Sequence, residues 1–209
     1  SSAKDLTTGV DFAFWDADKF HKKISALYLE SIERVKELQN TDINKFKPVL
    51  TKGINTENLR PTLFDLLVFR VIGYFQNEKQ YLTRPAYQFT INDENYFTEA
   101  SLFAKFKFKT KDESSLHYKA IQLFQQIIAF HLKDKTPNAL IDADLQRLKF
   151  VFDHSILENK KMIYEKALKN TIAKYPANLG IALALYKLVA LKDDFNYYVY
   201  NPTEKPKID

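Results

Sequence analysis

Residues 60–75 read RPTLFDLLVFRVIGYF, the most apolar helical pattern around which the other predicted helices can pack. Pro61 suits the first turn of a helix, where its missing N–H and its fixed φ carry no penalty. The only charged or small residues after it are Asp65, Arg70 and Gly73. Most of the remaining residues form two apolar stripes at helical spacing: Leu63, Leu67, Val71 and Tyr74, and Phe64, Val68, Ile72 and Phe75. A helix that is apolar nearly all round is a buried one, so we expect this helix at the centre of the molecule.

Five charged residues are predicted to have structural roles around this helix. Arg60 directly precedes Pro61, and Asp65 and Arg70 lie on the helix itself. Asp65 and Arg70 are five residues apart and do not share a face, so we predict separate partners for them. Asp142 and Asp144 lie at a predicted helix start, where carboxylates ordinarily serve the helix dipole and the free N–H groups. Either carboxylate could meet Arg70 in a structural ion pair.

Length and composition predict one helical domain over residues 1–209. The chain is 45% hydrophobic, which is enough to bury a substantial core, and its four glycines are few for this size. No apolar run is long enough to predict a membrane span, and the first residues, SSAKDLTTG, lack the apolar core of a signal peptide. The absence of cysteine excludes disulfides, zinc–thiolate sites and a cysteine nucleophile.

The formal net charge of +5 raises the question of nucleic-acid binding. Lysines such as Lys161 and Lys166 alternate with Glu158 and Glu165, which is typical of a solvated helix face. No recognisable nucleic-acid-reading motif accompanies them. We therefore predict that nucleic acid is not a partner; a nucleic-acid binder would instead show binding that weakens steeply with salt.

Amphipathic spacing predicts helices on both sides of the central one. Upstream, a helix capped by Asp16 runs to about Gln39, and a short helical turn follows over residues 43–50. Downstream, a helix capped by Ser114 or Ser115 precedes three more, and we expect successive helices to pack as antiparallel hairpins. The predicted seams are Phe20, Ile24, Leu27, Val35 and Leu38; Leu116, Ala120, Leu123, Ile127 and Phe130; and Ile141, Leu145, Leu148 and Phe152.

The last two predicted helices, 159–175 and 177–191, suggest a repeat. Tyr164, Leu168, Thr171 and Pro176 have the spacing of the second helix of a tetratricopeptide repeat, although Tyr186 stands where the next repeat has glycine. We predict an all-α fold of antiparallel hairpins in a tetratricopeptide-like superhelix. The final helix carries only one charge, so either the following FNYYVYNP or a further repeat must cover one face. We expect the further repeat, because terminal repeats normally have a polar outer face.

Residues 78–111 form an irregular, aromatic-rich insert in this helical pattern. Irregular segments of this length are usually functional or packed tightly onto the fold. One interpretation is a groove that binds a partner or ligand, and the other is a cover over the central helix. We expect the cover, because so many aromatic residues more often serve packing than binding.

The sequence predicts no catalytic, cofactor or metal site. The four histidines, His21, His117, His131 and His154, are far apart and form no HExxH or HxH motif, so we expect solvated or capping roles for them. The alternative is an α-helical enzyme acting on a polysaccharide or peptide. It would require Asp142 or Asp144 to converge with a histidine in a cleft.

Four blocks of sequence carry a family resemblance: LTKGINTENLRPTLFDLLVFRVIGYF, LTRPAYQFTI, FHLKDKTPNALIDADLQRLKFVFDHS and the helix that ends in AKYP. Together they resemble the helical N-terminal region of the large alpha-2-macroglobulin-like proteins of Bacteroidetes bacteria. The resemblance implies a fragment of a longer protein, exported to the periplasm or cell envelope, from a family that binds or traps proteases. The family's Cys-Glu-Gln thioester has no counterpart here.

The resulting functional prediction is a non-catalytic helical scaffold for protein contacts. Its expected partners are downstream domains of the same polypeptide or another protein, such as a protease. Arg60, Pro61, Asp65, Arg70, Asp142, Asp144 and Pro176 are its predicted structural residues.

Overall fold

A computed structural model describes residues 15–51, 53, 58–76 and 87–192, and these residues form an all-helical fold. The α-helices are α1 Ala17–Glu30, α2 Val35–Gln39, α3 Leu63–Phe75, α4 Ala100–Phe103, α5 Leu116–His131, α6 Asn138–His154, α7 Lys160–Lys174 and α8 Ile181–Lys192. Two short 3₁₀ helices, Ile43–Phe46 and Glu94–Phe97, lie in the connections that precede α3 and α4. In the described ranges, none of these helices has the length and apolar character needed to cross a bilayer. The all-α prediction is confirmed, and the tetratricopeptide-like superhelix stays a prediction.

Helix α3 is the buried rod that its sequence predicts. Phe64, Val68, Val71 and Phe75 have no exposed surface, and the helix packs against α5, α2 and α1. The prediction that Pro61 lies in the first helical turn is wrong. Thr62 is the N-cap, because it forms a capping box with Asp65, and Pro61 therefore precedes the helix.

The predicted first helix is two helices. Asp16 caps α1 as expected, accepting a hydrogen bond from the Lys19 backbone N–H at 2.7 Å. The chain then turns over residues 31–34, where the Ser31 hydroxyl donates to the Tyr28 carbonyl oxygen at 2.6 Å and Ile32 is buried. This turn ends α1 and lets Ile32 reach the core.

The predicted seam of α1 is also wrong at two positions. Phe20 and Leu27 are exposed, whereas Ser25 is buried. The contact with α3 runs through Tyr28, whose ring stacks on Tyr74 with centroids 4.7 Å apart. The inward face of α1 is therefore rotated away from its most apolar residues.

Helices α5 to α8 pack as successive hairpins, α5 on α6, α6 on α7 and α7 on α8. Ser115 caps α5 by accepting from the Tyr118 backbone N–H at 3.2 Å. Pro176 follows the end of α7, as predicted, but α8 begins at Ile181 instead of residue 177. The delay has a local cause, because the Asn178 side chain accepts from the Gly180 backbone N–H at 2.8 Å and so forms a turn before the helix.

The described part of the aromatic insert, residues 87–111, is a cover, and its short helices pack mainly on α5, α6 and α7 instead of on α3. Its 3₁₀ helix packs on α6 and α7, and α4 packs on α5. Phe89, Ile91, Tyr96, Phe97 and Phe103 are buried in these contacts. Residues 78–86 of the predicted insert lie outside the described ranges.

Candidate interaction surface and buried polar sites

Helix α8 exposes an apolar outer face. Leu179 just before it is 94% exposed, Tyr186 is 64% and Val189 is 57% exposed, and Leu185 also faces solvent. The inner face packs on α7 through the buried Ile181 and Ala184. Contiguous exposed apolar side chains on a soluble domain mark an interaction site more often than chance exposure does. This surface, Leu179, Leu185, Tyr186 and Val189, is called the α8 face below.

The single charge predicted on this helix faces the fold. Lys187 is half-buried, and burial lowers its pKa, with Lys149 adding to the effect and Asp153 and Asp142 opposing it. The described residues of the α8 face therefore carry no charged side chain. A cavity of about 860 Å³, whose walls include Ile141, Leu145 and Leu183, lies beside the start of the helix.

A buried carboxylate–histidine pair joins α3 to α5. The Asp65 carboxylate is completely buried and lies 2.6 Å from His131 Nε2. The backbone N–H and the hydroxyl of Thr62 also donate to Asp65, at 2.8 and 2.7 Å. On its other side, His131 Nδ1 lies 2.7 Å from Asp134 Oδ2. The imidazole is thus held between two carboxylates.

This geometry favours the charged imidazolium. Burial alone would lower the pKa of His131, but the hydrogen bond and negative charge of Asp65, followed by those of Asp134, raise it above the ordinary value. Both ring nitrogens then donate to carboxylates. The pair fixes the N-terminus of α3 against the C-terminus of α5, and the expectation of a solvated or capping histidine is wrong at this position.

A second buried pair joins α6 to the insert. Arg147 is completely buried and binds Asp144 one helical turn before it. The same guanidinium donates to the carbonyl oxygens of Tyr96 at 2.6 Å and Thr98 at 2.9 Å. Its plane also lies over the Phe103 ring, 4.5 Å from the centroid. Arg147 therefore fastens the aromatic cover to α6.

Asp142 binds Arg60, with 3.4 Å between Nε and Oδ2. The Arg60 guanidinium also lies 4.2 Å from the centroid of the Phe69 ring. Arg70 is exposed, and the two carboxylates predicted for it are bound to Arg60 and Arg147. The prediction that Asp142 or Asp144 pairs with Arg70 is wrong. Asp65 binds His131, and a separate partner for Arg70 stays a prediction.

The arrangement needed by the enzyme alternative does not form in the described cavities. The cavities lined by Asp142 or Asp144 contain no histidine among the described residues. His117 and His154 instead lie together, with ring centroids 4.2 Å apart, against Phe150. Within the described ranges, no three histidine or carboxylate side chains are grouped as metal ligands would be.

No family model, curated protein or solved structure matches this chain. The resemblance to the helical region of alpha-2-macroglobulin-like proteins therefore remains a prediction from the four sequence blocks.

Sequence reasoning missed the partners of His131 and the role of Arg147. Thr62 and Asp65 do show the spacing of a capping box, which would have placed the helix start correctly. His131 and Asp134 are three residues apart, which is the spacing of neighbours across one helical turn. Nothing in the local sequence of Arg147 points to the carbonyl groups about fifty residues upstream that it binds.

Proposed function

We propose that this chain is a non-catalytic helical interaction module of a cell-envelope alpha-2-macroglobulin-like protein, and that the α8 face docks on a further part of that polypeptide. The observation that carries the proposal is the exposed apolar surface of α8 itself. Covering the remaining exposed surface of Leu185, Tyr186 and Val189 would contribute roughly 3 kcal/mol to docking. The occupant must present an apolar surface, because the described α8 face offers no charge to pair with.

The non-catalytic part of the proposal is supported by how the candidate groups are used. Asp142, Asp144 and Asp65 each bind a cationic side chain that links two parts of the fold. A carboxylate engaged in this way is poorly placed for acid–base chemistry on a substrate. Protein contacts are therefore the function that the described geometry supports best.

The given residues contain no cysteine, which allows a direct test. Tyr186→Cys places the only thiol of this chain on the α8 face, and Met162→Cys places one at a similarly exposed apolar position on α7. Maleimide labelling rates are measured for both variants, in the isolated chain and in the full-length product of its gene, by mass spectrometry of the peptide that contains the introduced cysteine, so that cysteines elsewhere in the full-length protein do not contribute. We expect position 186 to react rapidly in the isolated chain and at least tenfold more slowly in the full-length protein, about 1.4 kcal/mol of protection. Position 162 should react at the same rate in both.

Three results would contradict the proposal. Equal rates at position 186 in the two proteins would mean that nothing in the longer polypeptide covers α8. Slow labelling of position 186 already in the isolated chain would mean that the chain's own residues after α8, which include FNYYVYNP and lie outside the described ranges, provide the cover. A reading frame with no macroglobulin domain after this stretch would refute the family assignment.

A further inference from the structure

A row of exposed lysines runs along the end of the aromatic insert. Residues 105–111 read KFKFKTK, and Lys105, Lys107, Lys109 and Lys111 are all exposed, as is Phe106, whereas Phe108 and Thr110 are half-buried. From Lys107 to Lys111 exposure alternates with a period of two, which is the pattern of an extended backbone with neighbouring lysines about 7 Å apart on the same side. Lys105 lies just before this stretch, in the turn that follows α4. These four residues are called the lysine row below.

The backbone beneath the lysine row is tied to α5. Gln125 Nε2 donates to the carbonyl oxygens of Phe103 and Phe106, both at 2.7 Å. The Tyr118 hydroxyl donates to the Phe108 carbonyl oxygen at 3.2 Å, and the Phe108 ring stacks on Tyr96 at 3.9 Å. The charges are therefore displayed by a backbone that is already ordered, which reduces the entropy lost on binding.

The charges of the lysine row are not neutralised by the fold. In the described part of the chain, its four lysines form no ion pair with a carboxylate. The neighbouring Asp112 is buried and accepts from the Phe89 backbone N–H and the Ser114 hydroxyl. Among residues 105–113, all of which the structure describes, Glu113 is the only exposed acid. Helix α5, on which the row is mounted, contains no acidic residue.

The same edge of the insert also exposes apolar side chains. Leu102 is 61% exposed, Phe106 is exposed, and Tyr87 is 64% exposed with Lys111 Nζ 6.0 Å from its ring centroid. Lysines beside exposed aromatic and aliphatic side chains form the composition that binds at a lipid–water interface. A single-stranded nucleic acid would use the aromatic rings for stacking but has no use for an exposed leucine.

We propose that the lysine row, together with Leu102 and Phe106, is a peripheral binding surface for anionic phospholipid membranes. The lysines lie near the headgroups, and the apolar side chains enter the interface between them. Each lysine close to an anionic surface raises membrane affinity about fivefold, so the four together contribute on the order of a thousandfold. This surface is separate from the α8 face, and the proposal does not depend on the function proposed above.

Vesicle co-sedimentation of the purified chain tests the proposal. We expect binding to vesicles of phosphatidylcholine and phosphatidylserine in equal parts, no binding to pure phosphatidylcholine, and weaker binding as salt increases. The variant Lys105→Gln/Lys107→Gln/Lys109→Gln should bind about a hundredfold more weakly. The matched control, Lys36→Gln/Lys161→Gln/Lys166→Gln, removes the same charge from exposed positions elsewhere and should bind within about threefold of the parent chain.

A second variant separates a lipid surface from other polyanions. Leu102→Ser should weaken vesicle binding but leave binding to a single-stranded oligonucleotide or to polyglutamate unchanged. The proposal is overturned by an absence of vesicle binding at low salt, by equal losses in the two triple variants, or by Leu102→Ser binding vesicles like the parent chain. Tighter binding to the oligonucleotide than to the anionic vesicles would also overturn it and would identify a nucleic-acid surface. Circular dichroism confirms that each variant is folded.

Discussion

The Asp65–His131 pair should make this protein less stable as the pH rises from acid to alkaline. The pKa of His131 is raised in the folded protein, so the folded state holds the imidazole proton more tightly than the unfolded chain does. The stabilisation is fully present below the unfolded pKa of about 6.5 and is lost as the pH rises through the folded pKa. Each unit by which the folded pKa exceeds the unfolded one is worth about 1.4 kcal/mol.

The variant Asp65→Asn removes the carboxylate and keeps its shape. Asp65 is completely buried and accepts from His131 and twice from Thr62. Removing one partner of a buried ion pair costs about 3–5 kcal/mol. The asparagine oxygen can still accept from Thr62, so we expect the lower end of that range, about 3 kcal/mol, at about pH 5.5. Above the folded pKa of His131 the cost should be smaller, because the imidazole of the parent chain has then also lost its proton and the ion pair no longer stabilises it.

Urea unfolding followed by circular dichroism across this pH range measures both effects. The control is Asp134→Asn, which removes the other carboxylate at His131. Because the Asp134 side chain is partly exposed, this substitution should lower the free energy of unfolding by only about 1 kcal/mol. The difference between the free energies of unfolding of the parent chain and of Asp65→Asn is taken at each pH. The other histidines are the same in both proteins, so the pH dependence of this difference reports the titration of His131. The reasoning is refuted if the two proteins show the same pH dependence, or if Asp65→Asn costs no more than Asp134→Asn.

Three further substitutions test the other contacts, each by the free energy of unfolding. Arg147→Met leaves Asp144 buried without its cation and should cost about 3–5 kcal/mol, and adding Asp144→Leu should recover part of that loss; no recovery would contradict a buried pair. Tyr164→Phe should leave the free energy of unfolding unchanged or raise it by up to about 1 kcal/mol, because the buried Tyr164 hydroxyl has no hydrogen-bond partner among the described residues. A loss of stability of about 1 kcal/mol or more would mean that the hydroxyl does have a partner. Arg70→Met should change the free energy of unfolding by less than about 0.5 kcal/mol, because Arg70 is exposed. A large loss of stability would instead support a structural ion pair at Arg70.

The helices of this fold could be predicted from sequence because their packing faces repeat locally. Phe64, Val68 and Phe75 define the inner face of α3 by spacing alone, and the seams of α5 and α6 behave in the same way. The break after α1 could not be predicted, because no glycine or proline marks it. It depends on Ile32 finding a place in the core, which is a tertiary effect.

The partners of the buried polar residues could not be predicted from sequence for a different reason. Arg147 binds Tyr96 and Thr98, and His131 binds Asp65, across separations of 49 to 66 residues. Charge and spacing indicate that such residues are structural but do not select their partners. Arg60 and Arg70 show the difficulty, since Arg60 just precedes α3 and Arg70 lies on it, and of the two only Arg60 binds Asp142.

The link from Arg147 to the insert also sets an order for folding during synthesis. The carbonyl groups of Tyr96 and Thr98 leave the ribosome about fifty residues before the side chain that binds them. Until α6 has emerged, the aromatic cover lacks its anchor, and Tyr96 and Phe103 have no complete surface to pack on. A nascent chain that stalls before α6 would therefore expose these rings and become a target for chaperones.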